Sequence, residues 1–265
     1  MTKEVIVNGA LGKMGQEVVK LLNRTDGFKL VSAVDKVDIG EDIHKLLGVS
    51  APVVEIESDL AEAISKTEPD AVVDFTTPQV VMENIETGLE NGINMVIGTT
   101  GITEADIDKI EDWTEEAEAK VIIAPNFAVG AILMMKFSQM AAKYLDQAEI
   151  IELHHDQKLD APSGTAIKTA ELINEVQNAT EKEVDEIEKI IGARGGEEGN
   201  INIHSVRLSG LVAHQEVLFG GVGQTLKIRH DSINRRSFMP GVKLALESLD
   251  EVDGVVYGLE KLMEF

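Results

Sequence analysis

"EVIVNGALGKMGQEVVKLL", residues 4–22, carries the fold. Val5, Ile6 and Val7 form a β-branched run with the character of a buried strand. Gly9, Gly12 and Gly15 follow, and 13–23 then has helical spacing, with Met14, Val18, Val19 and Leu22 on one face. Glycine permits positive φ and lets a pyrophosphate approach the backbone, while a helix N-terminus presents unpaired N–H groups and a partial positive charge. The spacing is G-x-x-G-x-x-G, with Ala10 where the first glycine of the commoner G-x-G-x-x-G pattern falls. The context supports a dinucleotide loop: a strand before, a helix after, and a second strand, 29–35, that ends on Asp35 about 20 residues further on. Asp35 is expected to accept hydrogen bonds from the adenosine ribose and to repel a 2′-phosphate, with Lys13 and Lys36 partly offsetting that repulsion. NADH is therefore expected to be preferred and NADPH tolerated.

Outward from this unit, apolar strands at 71–76, 94–99 and 120–125 alternate with helical stretches near 59–66, 79–90 and 103–118. Near-continuous apolar strands separated by helices imply a parallel sheet covered on both faces, an α/β, Rossmann-like doubly wound domain. Its strands end in "DFTTP" (74–78), "GTTG" (98–101) and "APNFAVG" (124–130), at the edge where open parallel sheets bind ligands. Small residues there leave room for the nicotinamide half of the cofactor, and carbonyls around Ala124 and Asn126 suit its carboxamide.

The pattern changes after Asn126. A long helix is expected over 129–145, its methionine stripe assigned to the core, then a strand at 148–155 and a helix from about 164 to 178. Strands at 201–209, 211–219 and 224–230, with a turn at Gly210, suggest a second, α+β domain with a mixed or antiparallel sheet. A helix over 240–249, with Pro240 in its first turn, is expected to return to the first domain. The expected boundaries are 1–126, completed by 240–265, for the dinucleotide-binding domain, and 127–239 for the second domain.

The 265 residues carry a net charge of −23, which argues against nucleic-acid binding, and no cysteine, which excludes thiolate zinc sites and thiol catalysis. The acidic stretches 103–120 and 174–189 are expected to be helices with solvated outer faces, suited either to solubility or to a salt-rich cytoplasm. No apolar run approaches the ~20 residues of a membrane span, and the N-terminus enters a strand directly, so a cytoplasmic location is expected.

"HHDQKLDAPSGT", residues 154–165, concentrates chemistry in a chain poor in histidine. On a strand, His154 and His155 face opposite ways unless the strand ends there. Imidazole, with an ordinary pKa near 6.5, can give a proton at cellular pH. Lys158 offers a fixed cation, and Ser163, Gly164 and Thr165 open a helix whose positive end suits a carboxylate, although Ser163 would also serve as a simple cap. Asp156 gives no zinc-like spacing, so no metal is expected. Arg194, His204, Arg207, Arg235 and Arg236 are further candidate partners of an anion, or members of surface salt bridges.

"GALGKMG", "DFT", "GTTG", "APNF", "ELHHDQKLDAPSGTA", "RGG", "IHSVRLSG", "HDSINRRSFMPG" and "YGLEKLM" occur in the order seen in the 4-hydroxy-tetrahydrodipicolinate reductase (dihydrodipicolinate reductase) family, which the chain resembles from first strand to last turn. The family reduces a cyclic dicarboxylate with NAD(P)H in the diaminopimelate route to lysine. The resemblance implies His154 as general acid, with Lys158 its catalytic partner, and His155, Ser163, Gly164 and Thr165 as substrate contacts. It implies cofactor contacts from Gly9, Ala10, Gly12, Lys13, Met14 and Gly15, from Asp35 and Phe75, from Gly98, Thr99 and Thr100, and from Ala124, Pro125, Asn126 and Phe127. It also implies that the second domain, 127–239, binds substrate and makes a homotetramer; independently, a hinge is expected near 126–130 and 237–241. Ser209 and Gln215 depart from the family's proline and histidine. The competing expectations are an amino-acid dehydrogenase of similar layout, such as aspartate or homoserine dehydrogenase, and a catalytically silent dinucleotide sensor.

Overall fold

A computed structural model describes residues 2–177 and 187–265. The chain divides into two compact units, Met1–Phe127 with Arg235–Phe265, and Ala128–Asn234.

The first unit runs β1 (Lys3–Asn8), α1 (Gly15–Leu22), β2 (Phe28–Val34), α2 (Ile43–Leu46), β3 (Ile56–Glu57), α3 (Leu60–Thr67), β4 (Ala71–Asp74), α4 (Val81–Glu90), β5 (Asn94–Ile97), α5 (Glu104–Ala117) and β6 (Val121–Ile123). In the second unit follow α6 (Val129–Ala142), β7 (Gln147–His154), α7 (Gly164–Asn174), β8 (Gly196–Glu198), β9 (Ile201–Arg207), β10 (Ala213–Gly221) and β11 (Gln224–Ser232). The chain then returns to the first unit with α8 (Met239–Ser248) and β12 (Val255–Tyr257).

The first sheet has seven parallel strands in the order β12-β6-β5-β4-β1-β2-β3. Strand order reverses at β1, so the crevice between β1 and β4 is its topological switch point. The β-branched runs are buried as expected: Val5, Ile6, Val7, Val72, Val73, Val96 and Ile122 expose nothing. Asp59 caps α3, and a Thr103–Asp106 capping box starts α5, one residue inside the expected limits. The expected helix after Pro240 forms as α8 and packs against α1. Strands β3 and β12 were not expected. They have two and three residues, too few to show a period, and exist because β2 and β6 offer them a partner edge.

The second sheet, β11-β10-β7-β9-β8, is mixed: β7 is parallel to β9 and every other pair is antiparallel. α6 and α7 pack over one face, where Met134, Ile150, Ile173, Ile203, Val217 and Phe219 form the core. Ile151, Leu153, Val206 and Leu218 alternate onto the other face and are only half-buried. The helix expected over 129–145 stops at Ala142, and its apolar residues are not all core: Phe137 and Met140 are exposed. Its apolar positions surround the helix, which buries a single stripe. α7 ends at Asn174, not 178, and the acidic helix expected over 174–189 falls mostly on 178–186, outside the described residues.

Candidate active site

Four loops leave the carboxyl edge of the first sheet side by side. Phe75 N donates to Asn8 O, Gly98 N to Asp74 O and Ala124 N to Ile97 O, at 2.9–3.0 Å, so each loop begins as a continuation of the parallel ladder. Gly9 turns the first loop with φ +77°, and a Cβ there would stand 2.5 Å from the Phe75 carbonyl oxygen. At Gly15 a Cβ would stand 2.1 Å from the Gly9 carbonyl oxygen and 2.8 Å from Ala10 Cα. Helix and loop thus meet backbone to backbone, and α1 starts with no side-chain cap. That cradle fits the pyrophosphate of a dinucleotide. Gly15→Ala is expected to push loop and helix apart and to cost about 1–3 kcal/mol of stability, which thermal melting measures.

Asp35 follows β2, and its Oδ2 accepts from Leu11 N at 2.8 Å, which ties it to the glycine loop. Lys36 turns aside and donates from Nζ to the Ser58 carbonyl at 3.0 Å. The Phe75 and Phe127 rings pack with centroids 5.6 Å apart. Ala124 and Phe127 are buried, whereas Pro125 and Thr100 are exposed.

Asp74, which opens the DFTTP stretch but is not among the expected site residues, organises this edge. It is fully buried; Oδ2 accepts from Asn8 Nδ2 and Asn84 Nδ2, and Oδ1 from Thr76 N, Thr76 Oγ1 and Thr99 Oγ1, at 2.8–3.0 Å. The Thr99 hydroxyl proton is therefore committed to Asp74.

In the second unit β7 ends at His154, so the two histidines do not share a strand, and His155 is exposed beyond its end. Glu152, two residues earlier on the same face, is fully buried and central. Its Oε2 meets His154 Nδ1 at 2.5 Å and accepts from Arg207 Nη1 at 2.8 Å. Its Oε1 accepts from Arg207 Nη2 at 2.8 Å and from Ser163 N at 3.2 Å. Arg207 Nη2 also donates to the Asp160 carbonyl at 2.7 Å, which anchors the loop bearing Lys158. The Lys158 ammonium meets both carboxylate oxygens of Asp160, at 2.7 and 2.6 Å.

Burial alone would raise the Glu152 carboxyl; Arg207, the Ser205 hydroxyl and the His154 ring more than offset it and hold Glu152 below the ordinary carboxylate range. An ionised carboxylate only accepts, so Nδ1 carries the proton and Nε2 is the ring nitrogen left for chemistry. For His154, burial is the largest influence and lowers its pKa; Glu152 opposes this, and Lys158 and Arg207 add to it.

Ser163 caps α7, its Oγ accepting from Ala166 N at 3.3 Å, and is buried. With its N–H on Glu152 and its hydroxyl on the helix, Ser163 holds the α7 N-terminus in place. Gly164 is exposed and Thr165 half-exposed at that end. Of the other candidate cations, Arg207 joins the cluster. Arg194 and His204 pair instead with Glu149, on the opposite face of β7, and Arg235 and Arg236 belong to the first unit.

The chain matches the family description "Dihydrodipicolinate reductase, N-terminus" over residues 3–127 and "Dihydrodipicolinate reductase, C-terminus" over 130–263. It is 52% identical to a 4-hydroxy-tetrahydrodipicolinate reductase from Bacillus licheniformis, covering 99% of this chain and 98% of that one. A dipicolinate-bound dihydrodipicolinate reductase from Paenisporosarcina sp. TG-14 superposes with a TM-score of 0.89 at 44% identity, covering 99% of this chain and 100% of that one. Aspartate dehydrogenase from Thermotoga maritima, with a TM-score of 0.51 at 13% identity over 94% of this chain and 97% of that one, shares the fold alone.

Proposed function

This chain belongs to the dihydrodipicolinate reductase family, and we propose that His154 and Lys158 carry its chemistry. The activity is the family's: pyridine-nucleotide-dependent reduction of a cyclic dicarboxylate, 4-hydroxy-tetrahydrodipicolinate, in the diaminopimelate route to lysine. The observation that carries the assignment is the bond from His154 Nδ1 to buried Glu152, which leaves Nε2 to serve a ligand.

When bound, the reduced nicotinamide supplies a hydride. Gly9, Ala10, Gly12, Lys13, Met14 and Gly15 would hold its pyrophosphate, Asp35 its ribose, and Phe75, Gly98–Thr100 and Ala124–Phe127 its nicotinamide half. Lys158 and the α7 N-terminus at Gly164 and Thr165 bind the two carboxylates of the ring, with Ser163 fixing that helix end and His155 adding a further contact. His154 then gives its Nε2 proton to the negative charge that builds on the reduced ring. The dipicolinate in the Paenisporosarcina protein, a planar ring with two carboxylates, supports this class of ligand.

NADH is the preferred cofactor. The carboxylate of Asp35 stands at the loop, and Lys36, next to it in sequence, is engaged by the Ser58 carbonyl. Asp35→Ala is expected to raise the NADPH-to-NADH ratio of kcat/KM by about tenfold, a change of ~1.4 kcal/mol, with turnover largely intact. Strict NADPH dependence of the unaltered protein would refute the preference.

The protein works in the cytoplasm as a homotetramer. The half-buried apolar residues on the face of the second sheet opposite α6 and α7, Ile151, Leu153, Val206 and Leu218, suit a subunit interface. No helix among the described residues is long and apolar enough to cross a membrane. Freshly made product of dihydrodipicolinate synthase, mixed with the protein while NADH absorbance is followed, tests the activity. A sensor or an amino-acid dehydrogenase would leave the absorbance unchanged.

A further inference from the structure

We infer that Glu152 and Arg207 are positioning residues that set which nitrogen of His154 carries its fixed proton and how readily the ring ionises. The inference rests on His154 being the proton donor, and it is carried by geometry. Glu152 sits on the core face of β7 in register with Ser205 of β9, and His154 is in register with Arg207. One fully buried carboxylate thereby meets the ring, both terminal nitrogens of a guanidinium and the N–H of Ser163.

Each bond has a distinct consequence. Nδ1 must donate to Glu152, so a neutral His154 keeps the Nδ1–H tautomer and an ionised one presents Nε2–H to the ligand. The negative charge of Glu152 favours imidazolium. Arg207 keeps Glu152 ionised while drawing its charge away from the ring, a buffer between full salt bridge and none. Arg207 also ties the Asp160 carbonyl, and Glu152 ties Ser163, so the proton donor, the loop of Lys158 and the start of α7 share one anchor.

The charged groups acting on the ring are Glu152 from its own strand, Arg207 from β9 and Lys158 from the following loop. β10 places Ala213 opposite His154, and the first turn of α7 offers Gly164, Thr165 and Ala166, none of them titratable.

Two measurements test the inference. In protein labelled with 15N-histidine, His154 above its pKa is expected as the Nδ1–H tautomer, the minor form of free histidine; an Nε2–H signal would overturn the inference without any substitution. In kinetics, Glu152→Gln is expected to move the pH midpoint of kcat down by about one unit and to lower kcat about 10²-fold, with KM for the dicarboxylate changed about threefold at most. Arg207→Met is expected to move the midpoint the other way. Glu152→Asp keeps the charge at shorter reach, and is expected to hold the wild-type midpoint and recover part of kcat, whether or not the Gln variant folds. A merely structural role would lower the melting temperature and leave the midpoints in place, and unmoved midpoints in folded variants overturn the inference. His154→Ala in parallel separates the two levels. Full turnover there removes the proton donor itself, whereas slow turnover with an unmoved Glu152→Gln midpoint removes only the positioning role.

Discussion

His154→Ala is expected to lower kcat by roughly 10²-fold or more, because the reduced ring then takes its proton from water. The pH profile identifies the loss. His154 must be protonated to act, so the rate falls as pH rises through its pKa. Burial pulls that pKa below the ordinary value of about 6.5, Lys158 and Arg207 pull it further, and Glu152 restrains the fall. The descending limb of kcat/KM, which reports the free enzyme, is therefore expected below pH ~6.5. A bound dicarboxylate adds negative charge beside the ring, so the limb in kcat is expected at higher pH. His154→Ala should lose both limbs. A retained limb would assign the proton to another group.

Lys158→Ala is expected to cost roughly 10²-fold or more in turnover, through loss of the cation that holds a carboxylate and stabilises developing charge. In the structure the ammonium is held by Asp160, which a ligand would have to displace. Asp160 faces the ammonium with both oxygens, but its side chain is 65% exposed. Exposed pairs contribute about 0–1 kcal/mol, so a dianionic ring can take the ammonium from Asp160 at little cost. Steady-state kinetics on Lys158→Ala checks the assignment, and near-normal turnover would end it. The carboxylate of Asp160 should not itself be needed for the chemical step, since its anchoring bond to Arg207 uses the backbone carbonyl.

Much of the fold could be read along the chain because its signals are local. Val5–Val7 and Val72–Val73 are buried runs, the glycines lie between strand and helix, and Pro240 stands in the first turn of α8. Strand ends were placed late, at 99 and 125 where β5 and β6 stop at Ile97 and Ile123, because the small loop residues that follow continue the hydrogen-bond ladder by one position. Glu152 also carries a local signal. In Ala148, Ile150, Glu152, His154, the alternate positions of β7, an acid stands on a face that is otherwise apolar up to the histidine. A charge there requires partners, and two residues later stands the imidazole it serves.

Arg207, Arg194 and His204 were equivalent as letters: cations in a Gly-rich, strand-forming region. The β7–β9 register separates them, with Arg207 beside Glu152 and the other two at Glu149 on the far face. Residue order and periodicity therefore settled most of the strands and helices and placed the glycine loop between the first strand and first helix, since each depends on neighbours along the chain. Which charges meet, which nitrogen of His154 is free and which serine is committed to a cap depend on residues such as Glu152 and Arg207, 55 positions apart. Those pairings arise only when strands align, because Coulomb and hydrogen-bond energies depend on distance in space and not on separation along the backbone.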